Sequence, residues 1–303
     1  MKNKKIQLGL SIGVPLLALI FPILGFSGAL SQKNNDTTYA NWMSNVADST
    51  SLRDVQMPGS HDTMALYSIA NLAGQCQSLS LQDQLDLGVR FLDIRLKEEN
   101  NALKAVHGFI DQRASFLAIT NIVEKFIQKH QSEFIIMSIK EEADQENSTL
   151  PFEECLKLYL TNDIYLLDTH EVPSTLGDVR GKVLLLSRYA NSTIGIPAYD
   201  GWMDSCSFTL PNDIYVQDTY QITSAKQKEE EIVTCFNETG HNLKINFLSA
   251  CRTDSFPPSY SVSAAKDINP WINKNIKNFN DRNIVLYDFI SKANMNAFFE
   301  GIL

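Results

Sequence analysis

Two histidines and an arginine stand in segments whose composition points to chemistry. His61 follows a Pro-Gly pair in the run 57–63, which we interpret as a turn that projects side chains into an opening, and His107 ends a short apolar run. Two imidazoles that titrate near neutral pH can serve as base and acid, one taking a hydroxyl proton and the other protonating a leaving alkoxide. Arg95 lies between them in the chain, and a guanidinium binds phosphate oxygens in a bidentate manner. The three side chains therefore predict cleavage of a phosphodiester without a metal.

Asp93 and Arg95 belong to one face of a predicted strand. In an extended chain alternate side chains share a face, so these two charges lie opposite the aliphatic side chains of the same run. Burying two opposite charges without partners is costly. We therefore expect both of them to meet charged partners or a charged ligand.

Seven short apolar runs, with polar or charged residues at their ends, must position these groups. The runs cover residues 89–96, 102–107, 134–140, 183–188, 214–218, 243–249 and 284–288. Amphipathic stretches with helical spacing, such as 117–129 and 224–236, lie between them. This alternation predicts an α/β fold with a largely parallel sheet. Catalytic groups of a β/α (TIM-type) barrel lie at the C-terminal ends of its strands, so a barrel is favoured, although an open doubly wound sheet would show the same alternation.

The N-terminal 31 residues differ from the rest of the chain. Lysines precede a long apolar run from 6 to 26, which is typical of a signal peptide but is also long enough for an uncleaved N-terminal membrane anchor. Residues 32–303 contain no internal repeat, charge block or Gly/Ser/Pro-rich break that would divide them. They are predicted to form a single catalytic domain that is exported, either secreted or anchored.

Composition and missing motifs exclude several classes of protein. The 303 residues carry 35 acidic side chains against 26 Lys and Arg, a net charge of -9, which argues against binding to nucleic acid. No metal-ligand spacing, Walker A pattern or Gly-x-Ser-x-Gly motif occurs, so no metal or other cofactor is expected.

The five cysteines are widely spaced, and we expect most of them to be buried free thiols. No pattern indicates an oligomer, so a monomer is expected.

Seven motifs, in the same order and at similar spacing, make the chain resemble the bacterial phosphatidylinositol-specific phospholipase C family. They are P-G-S-H-D at 58–62, G-V-R-F-L-D-I-R at 88–95, V-H-G at 106–108, F-I-I-M-S-I-K-E at 134–141, D-V-R-G-K-V-L-L-L-S-R-Y at 178–189, V-Q-D-T-Y at 216–220 and V-L-Y-D-F at 285–289. The resemblance extends over essentially the whole chain beyond the N-terminal segment. It is therefore more specific than any one of the motifs.

The resemblance implies a distorted, incompletely closed β/α barrel and a calcium-independent reaction. In this reaction His61, held by Asp288, would deprotonate the inositol 2-hydroxyl, which attacks phosphorus. His107, partnered by Asp62, would protonate the departing diacylglycerol oxygen and yield inositol 1,2-cyclic phosphate. Arg95 would stabilise the charged transition state, the role that calcium has in eukaryotic relatives.

The resemblance also implies a set of substrate contacts and a membrane partner. The residues expected to bind substrate are Lys140, Arg188, Asp218, Tyr220, Asp93 and Gly108. The first three would bond hydroxyls of the inositol ring, and Tyr220 would stack on its face. The substrate would be phosphatidylinositol at a membrane surface, or a glycosylphosphatidylinositol (GPI) anchor.

Two other functions stay open at this point. A metal-dependent glycerophosphodiester phosphodiesterase would need clustered carboxylates near His61, and Asp62 and Asp93 are present, but Arg95 among them would repel a metal ion. A catalytically silent lipid-binding barrel would have lost at least one of the catalytic groups. All of these groups are present.

Overall fold

A sheet of mostly parallel strands forms the centre of the molecule. The computed structural model describes residues 38–69, 74–252 and 261–300, so the predicted signal peptide or anchor lies outside the described residues. The strands are β1 (Met57–Ser60), β2 (Phe91–Glu99), β3 (Ala102–His107), β4 (Ile110–Ser115), β5 (Ile135–Glu146), β6 (Tyr165–Leu166), β7 (Val183–Arg188), β8 (Ile196–Pro197), β9 (Ser207–Leu210), β10 (Ile214–Gln217), β11 (Gln221–Ile222), β12 (Leu243–Phe247), β13 (Cys251–Arg252) and β14 (Ile284–Tyr287). The α-helices are α1 (Leu81–Asp86), α2 (Phe116–Lys129), α3 (Phe152–Lys157), α4 (Ala225–Asn237), α5 (Ser261–Asn275) and α6 (Lys292–Glu300).

The sheet curls into a barrel that does not close. Its main path runs β6-β7-β5-β2-β1-β14-β12-β10-β9, and every neighbouring pair on it is parallel except β10 with β9. Within the described residues the two end strands, β6 and β9, do not pair with each other. The predicted α/β fold, a distorted and incompletely closed β/α barrel in a single domain, is confirmed.

Residues 102–107 were predicted to form one of the parallel barrel strands, and this prediction is wrong. They form β3, which pairs antiparallel with both β2 and β4. The physical reason is the turn before β3, where Asn100 and Asn101 have φ of 54° and 59°. Two consecutive residues with positive φ form the tight hairpin turn whose twist matches that of antiparallel strands. The hairpin therefore extends one wall of the barrel beyond its rim.

The Pro-Gly pair does not form the predicted turn, because it lies inside strand β1. A side chain at Gly59 would bring its Cβ within 2.9 Å of Phe91 Cβ and 3.0 Å of Leu286 Cγ. Glycine therefore lets β1 pack between β2 and β14 at the centre of the sheet. The chain leaves β1 at once into His61, so the strand itself delivers this side chain to the barrel mouth.

The helices that cover the sheet agree with the amphipathic stretches in the sequence. Helix α2 begins after Ser115, whose hydroxyl accepts a hydrogen bond from the amide of Ala118, and α4 begins after Ser224 in the same way. Serine is a favoured N-cap because its oxygen satisfies an amide that the helix leaves unpaired. Among the described residues no helix is long and apolar enough to span a bilayer.

A buried ion pair fastens the first described segment to the sheet. Arg90 precedes β2, Glu133 precedes β5, and neither side chain is exposed. Glu133 Oε2 accepts hydrogen bonds from Arg90 Nε at 2.9 Å and Nη2 at 2.8 Å, and its Oε1 accepts one from the amide of Met43 at 3.1 Å. Removing one member of such a pair leaves the other charge buried and unpaired.

The substitution Glu133→Gln should lower the free energy of unfolding by about 3 kcal/mol, because Arg90 then stays buried without a counter-charge. The midpoint of urea unfolding, followed by circular dichroism, measures this loss. Glu146→Gln is the matched control, since it makes the same change in an exposed pair with Lys97. Exposed pairs contribute little, so this midpoint should hardly move. Equal midpoints for the two variants would contradict the assigned role of the buried pair.

Candidate active site

A cavity of about 490 Å³ opens where the central strands end. Most of the residues that the sequence analysis singled out line it. These are His61, Arg95, His107, Lys140, Arg188, Asp218 and Tyr220. They come from β1, β2, β3, β5, β7 and β10 or from the residues that follow these strands. Arg95 and Lys140 are paired in register within β2 and β5 rather than at strand ends, because both strands continue into the extended wall.

His61 and Asp288 form a close pair at the centre of the mouth. Ser60 of β1 and Tyr287 of β14 are paired in register, so the next residue of each strand emerges beside the other. His61 Nδ1 lies 2.7 Å from Asp288 Oδ1, and Arg95 Nη2 lies 2.8 Å from His61 Nε2. Since arginine can only donate, Nε2 accepts, and the ring proton of a neutral His61 is on Nδ1, where it is donated to Asp288. His61 therefore presents a lone pair at the cavity.

The environment of His61 shifts its titration. Burial lowers the pKa of His61, but the charge and the hydrogen bond of Asp288 more than offset this, so its pKa lies above the ordinary value. The imidazole is 11% exposed and Asp288 is 2% exposed. A histidine in this setting takes up a proton readily and is oriented by its carboxylate.

His107 lines the same cavity, at the end of β3. Its Nδ1 lies 2.9 Å from the carbonyl oxygen of Gly74 and 3.5 Å from Asp62 Oδ2. Asp62 has a φ of 42°, an uncommon conformation for a residue other than glycine. Burial raises the pKa of the Asp62 carboxyl, against the opposing effects of Arg95 and His107. The ring nitrogen left for a ligand is Nε2 of His107.

Asp93 is the buried carboxylate to which both arginines of the site are bound. Its Oδ2 lies 3.0 Å from Arg95 Nη2, and its Oδ1 lies 3.0 Å from Arg188 Nη1. The amide of Asp62 donates to Oδ2 at 3.0 Å. Burial alone would raise the pKa of Asp93, but the two guanidiniums hold it well below its usual range. The expectation that Asp93 and Arg95 meet charged partners is confirmed.

The far side of the cavity combines cations, carboxylates and aromatic rings. The guanidinium of Arg188 lies 3.5 Å from the centre of the Trp202 ring, and Trp202 Nε1 donates to Asp218 Oδ2 at 3.3 Å. The Tyr220 hydroxyl donates to Asp204 at 2.7 Å. This wall offers both hydrogen-bond donors and acceptors to a polyhydroxylated ring, and aromatic surface beside them.

Sequence reasoning missed Glu142, which connects several of these groups. Its carboxylate lies 2.6 Å from Lys140 Nζ and 3.7 Å from Arg95 Nη1, and it accepts a hydrogen bond from the amide of Gly108 at 3.2 Å. The amide of Gly108 is therefore bound to Glu142, and its contact with substrate stays a prediction. The two-residue spacing of Lys140 and Glu142, which puts both on one face of a strand, could have revealed this acidic residue.

Comparisons with known proteins all indicate the same family. A family model described as phosphatidylinositol-specific phospholipase C, X domain, matches residues 55–189. The chain is 30% identical over 289 residues to a 1-phosphatidylinositol phosphodiesterase of Listeria monocytogenes, which covers 90% of this chain and 89% of that protein. It is 28% identical over 268 residues to a protein of the same name from Staphylococcus aureus, with 78% and 83% covered.

Solved structures have the same fold. The phosphatidylinositol-specific phospholipase C of Listeria monocytogenes superposes with a TM-score of 0.69 at 27% identity, covering 88% of this chain and 100% of that one. The Staphylococcus aureus enzyme, in a structure concerned with modulation of its membrane binding, gives a TM-score of 0.73 at 22% identity and covers 86% and 97%. With its barrel, its motifs and its relatives in agreement, this chain belongs to the bacterial phosphatidylinositol-specific phospholipase C family.

Proposed function

We propose that this protein is a calcium-independent phospholipase C that cleaves phosphatidylinositol to diacylglycerol and inositol 1,2-cyclic phosphate. The observation that carries the proposal is the position of Arg95 between two histidines that line one cavity, with each histidine beside a buried carboxylate. The two relatives described above are named for action on the same lipid. GPI anchors contain the same phosphodiester and are a second substrate of the same chemistry.

His61 acts as the general base in the first step. Its Nε2 takes the proton of the inositol 2-hydroxyl, and the freed oxygen attacks phosphorus. The proton on Nδ1 stays hydrogen bonded to Asp288, which stabilises the imidazolium that forms. The raised pKa of His61 supports this role, because a stronger base takes the hydroxyl proton more easily.

His107 acts as the general acid on the opposite side of the phosphorus. As the bond from phosphorus to the diacylglycerol oxygen breaks, His107 Nε2 donates its proton to that oxygen. Asp62 Oδ2 lies 3.5 Å from Nδ1 of the same ring and helps to orient it. In a slower second step the two histidines exchange roles, and water opens the cyclic phosphate.

Arg95 supplies the positive charge that the phosphate needs in the transition state. Its guanidinium is held by Asp93 and already contacts His61 Nε2, so a substrate hydroxyl and phosphate would replace this contact. A fixed cation in this position costs no reorganisation during the reaction. It also lies between Asp62, Asp93 and Glu142, where a divalent ion would otherwise bind carboxylates, which favours a metal-free reaction over the metal-dependent alternative.

The inositol ring binds against the far wall of the cavity. Lys140, Arg188 and Asp218 would bond its hydroxyls, and Tyr220 would lie against its face. Since Asp93 fixes Arg188, and Trp202 covers the guanidinium, the donors are ordered before substrate arrives. Such preorganisation reduces the entropy lost on binding.

The substrate lies in a membrane, so the cavity must face a lipid surface. Phe109 is 86% exposed and lies two residues beyond His107, at the tip of the hairpin wall. Met203, at the cavity itself, is 53% exposed. We propose that these apolar side chains enter the bilayer beside the site and that the enzyme acts as a monomer. Export, which the N-terminal 31 residues predict, would place it outside the cell, either secreted or anchored.

His61→Ala should reduce the rate of diacylglycerol release from phosphatidylinositol by roughly 100-fold to 10,000-fold, the usual contribution of a general base. His107→Ala should give a loss of similar size for the leaving-group step. The control is His241→Ala, because His241 Nδ1 lies 2.7 Å from Asp213 in a pair like that of His61, but outside the cavity lining. This variant should keep its rate. An active His61→Ala enzyme would refute the assigned base.

Asp288→Asn should move the acidic limb of the pH-rate profile to lower pH and reduce the maximal rate. The base works when it is neutral, so the rate falls as the pH drops through the pKa of His61, which Asp288 raises. Without the carboxylate, the lowering effect of burial is no longer offset, and the pKa of His61 falls. The dependence of kcat/KM on pH measures the shift, and Asp213→Asn serves as the control. An unchanged limb in Asp288→Asn would show that another group titrates there.

Phe109→Glu should lower the initial rate on phosphatidylinositol vesicles roughly tenfold or more, the factor expected when one large apolar side chain can no longer be buried. The rate on monomeric short-chain phosphatidylinositol should stay unchanged. Gln128→Glu adds the same charge at the C-terminal end of α2, at the other end of the barrel, and should affect neither rate. Equal losses on vesicles and monomers would place the effect in the cavity instead of at the membrane.

A further inference from the structure

Cys76 lies between the two histidine-carboxylate pairs of the site. It is one of five free cysteines, in agreement with the sequence, and it is fully buried. Its Sγ lies 4.0 Å from His107 Nδ1 and 3.6 Å from Ser261 Oγ. The sulfur, a ring nitrogen of His107 and a carboxylate oxygen of Asp62 all lie within 4.8 Å of one another. The mechanism above gives this thiol no role.

A second observation at the same place is an unsatisfied carboxylate oxygen. The Asp62 side chain is 2% exposed, and its Oδ2 accepts no hydrogen bond from the described residues. A buried oxygen in this state is costly, and it is available to bind a positively charged ligand. Asp62 Oδ2 lies 3.5 Å from His107 Nδ1.

The three donor atoms have the chemistry and the spacing of a zinc site. Zn²⁺ binds thiolate, imidazole and carboxylate at tetrahedral angles with bonds of roughly 2.0 to 2.3 Å, so neighbouring donors should lie roughly 3.3 to 3.6 Å apart. The oxygen-nitrogen and sulfur-nitrogen separations here are 3.5 and 4.0 Å. The sulfur-oxygen separation is within 4.8 Å, so binding would draw these two donors together by up to roughly 1 Å. A water molecule from the cavity that His107 lines would be the fourth ligand.

We infer that Asp62, Cys76 and His107 form an inhibitory site for a thiophilic divalent cation, Zn²⁺. Binding forms a bond from zinc to sulfur and releases the thiol proton to solvent. It also takes Nδ1 of His107 away from Gly74, so that the ring proton is on Nε2. A metal-bound imidazole carries only this one proton, and giving it up would leave an imidazolate. His107 is then far too weak an acid to protonate the leaving group. Inhibition rests on the proposed function, whereas metal binding does not.

Charge in the surroundings permits a cation here. Arg95 Nη1 lies 3.6 Å from Asp62 Oδ2 and opposes binding, but the guanidinium is already held by Asp93. Among the described residues around the cavity the carboxylates outnumber the cations by three, and the thiolate adds another negative charge. The carboxylates are Asp62, Asp93, Glu142, Asp204, Asp218 and Asp288, and the cations are Arg95, Arg188 and Lys140. Hard cations such as Ca²⁺ gain nothing from sulfur, so the site favours zinc over calcium.

Cobalt spectroscopy tests the binding without reference to activity. Co²⁺ added to the purified, untagged protein should produce a thiolate-to-cobalt charge-transfer band in the near ultraviolet, and Zn²⁺ should abolish it by displacement. Cys76→Ser and Cys76→Ala should both lack the band. Cys251→Ser is the matched control, because Cys251 lines the same cavity, and this variant should keep the band. Absence of the band from the unmodified protein, or its presence in both Cys76 variants, overturns the proposal.

Inhibition is then measured on phosphatidylinositol. Zn²⁺ should inhibit the unmodified enzyme and Cys251→Ser equally, and a chelator should restore the rate. In Cys76→Ser the zinc concentration for half-inhibition should rise by at least about 100-fold, since loss of a direct ligand must exceed the effect of losing an outer partner. Ca²⁺ at the same concentrations should not inhibit. A cobalt band without zinc inhibition would refute the inhibitory role and leave the metal site. If the protein cleaves no phosphatidylinositol, the cobalt experiment still decides the metal site.

Discussion

The site depends on one buried carboxylate that holds two guanidiniums. Asp93 has no exposed surface, and Arg95 and Arg188 each bind a different one of its oxygens. Without it the two cations would repel each other in a setting where water screens little of the repulsion. With it, one guanidinium is fixed beside His61 and the other beside the aromatic wall. The same carboxylate also receives the amide of Asp62 and so fixes the strained residue beside His107.

The position of Asp93 follows from the pairing of the central strands. β2 lies between β1 and β5, and each parallel register brings the residues of successive strands to the same level of the barrel mouth. His61 and Asp288 meet because β1 and β14 end side by side. The proposed general acid comes from a hairpin outside the parallel sheet, whose first strand ends at His107. The open barrel thus supplies one histidine from its centre and one from its rim.

Much of this arrangement could be predicted from the sequence, because it depends on local patterns. Alternating apolar runs and amphipathic stretches indicated the α/β fold, and polar residues at the ends of the runs indicated the mouth. The hairpin was missed because β3 has the composition of a barrel strand, and only the backbone of Asn100 and Asn101 fixes its direction. Gly59 was taken for a turn residue because the close approach of Phe91 is a tertiary contact. Trp202 and Cys76 also reach the site through tertiary contacts, between segments that are far apart in the chain.

The central claim is that two histidines and a fixed arginine transfer phosphorus to an internal hydroxyl without a metal. Phosphorus NMR of the reaction on phosphatidylinositol, run in the presence of EDTA, tests this claim most directly. Inositol 1,2-cyclic phosphate should appear first, and inositol 1-phosphate should follow slowly from it. Inositol 1-phosphate as the first product, or a reaction that starts only when calcium is added, would contradict the account.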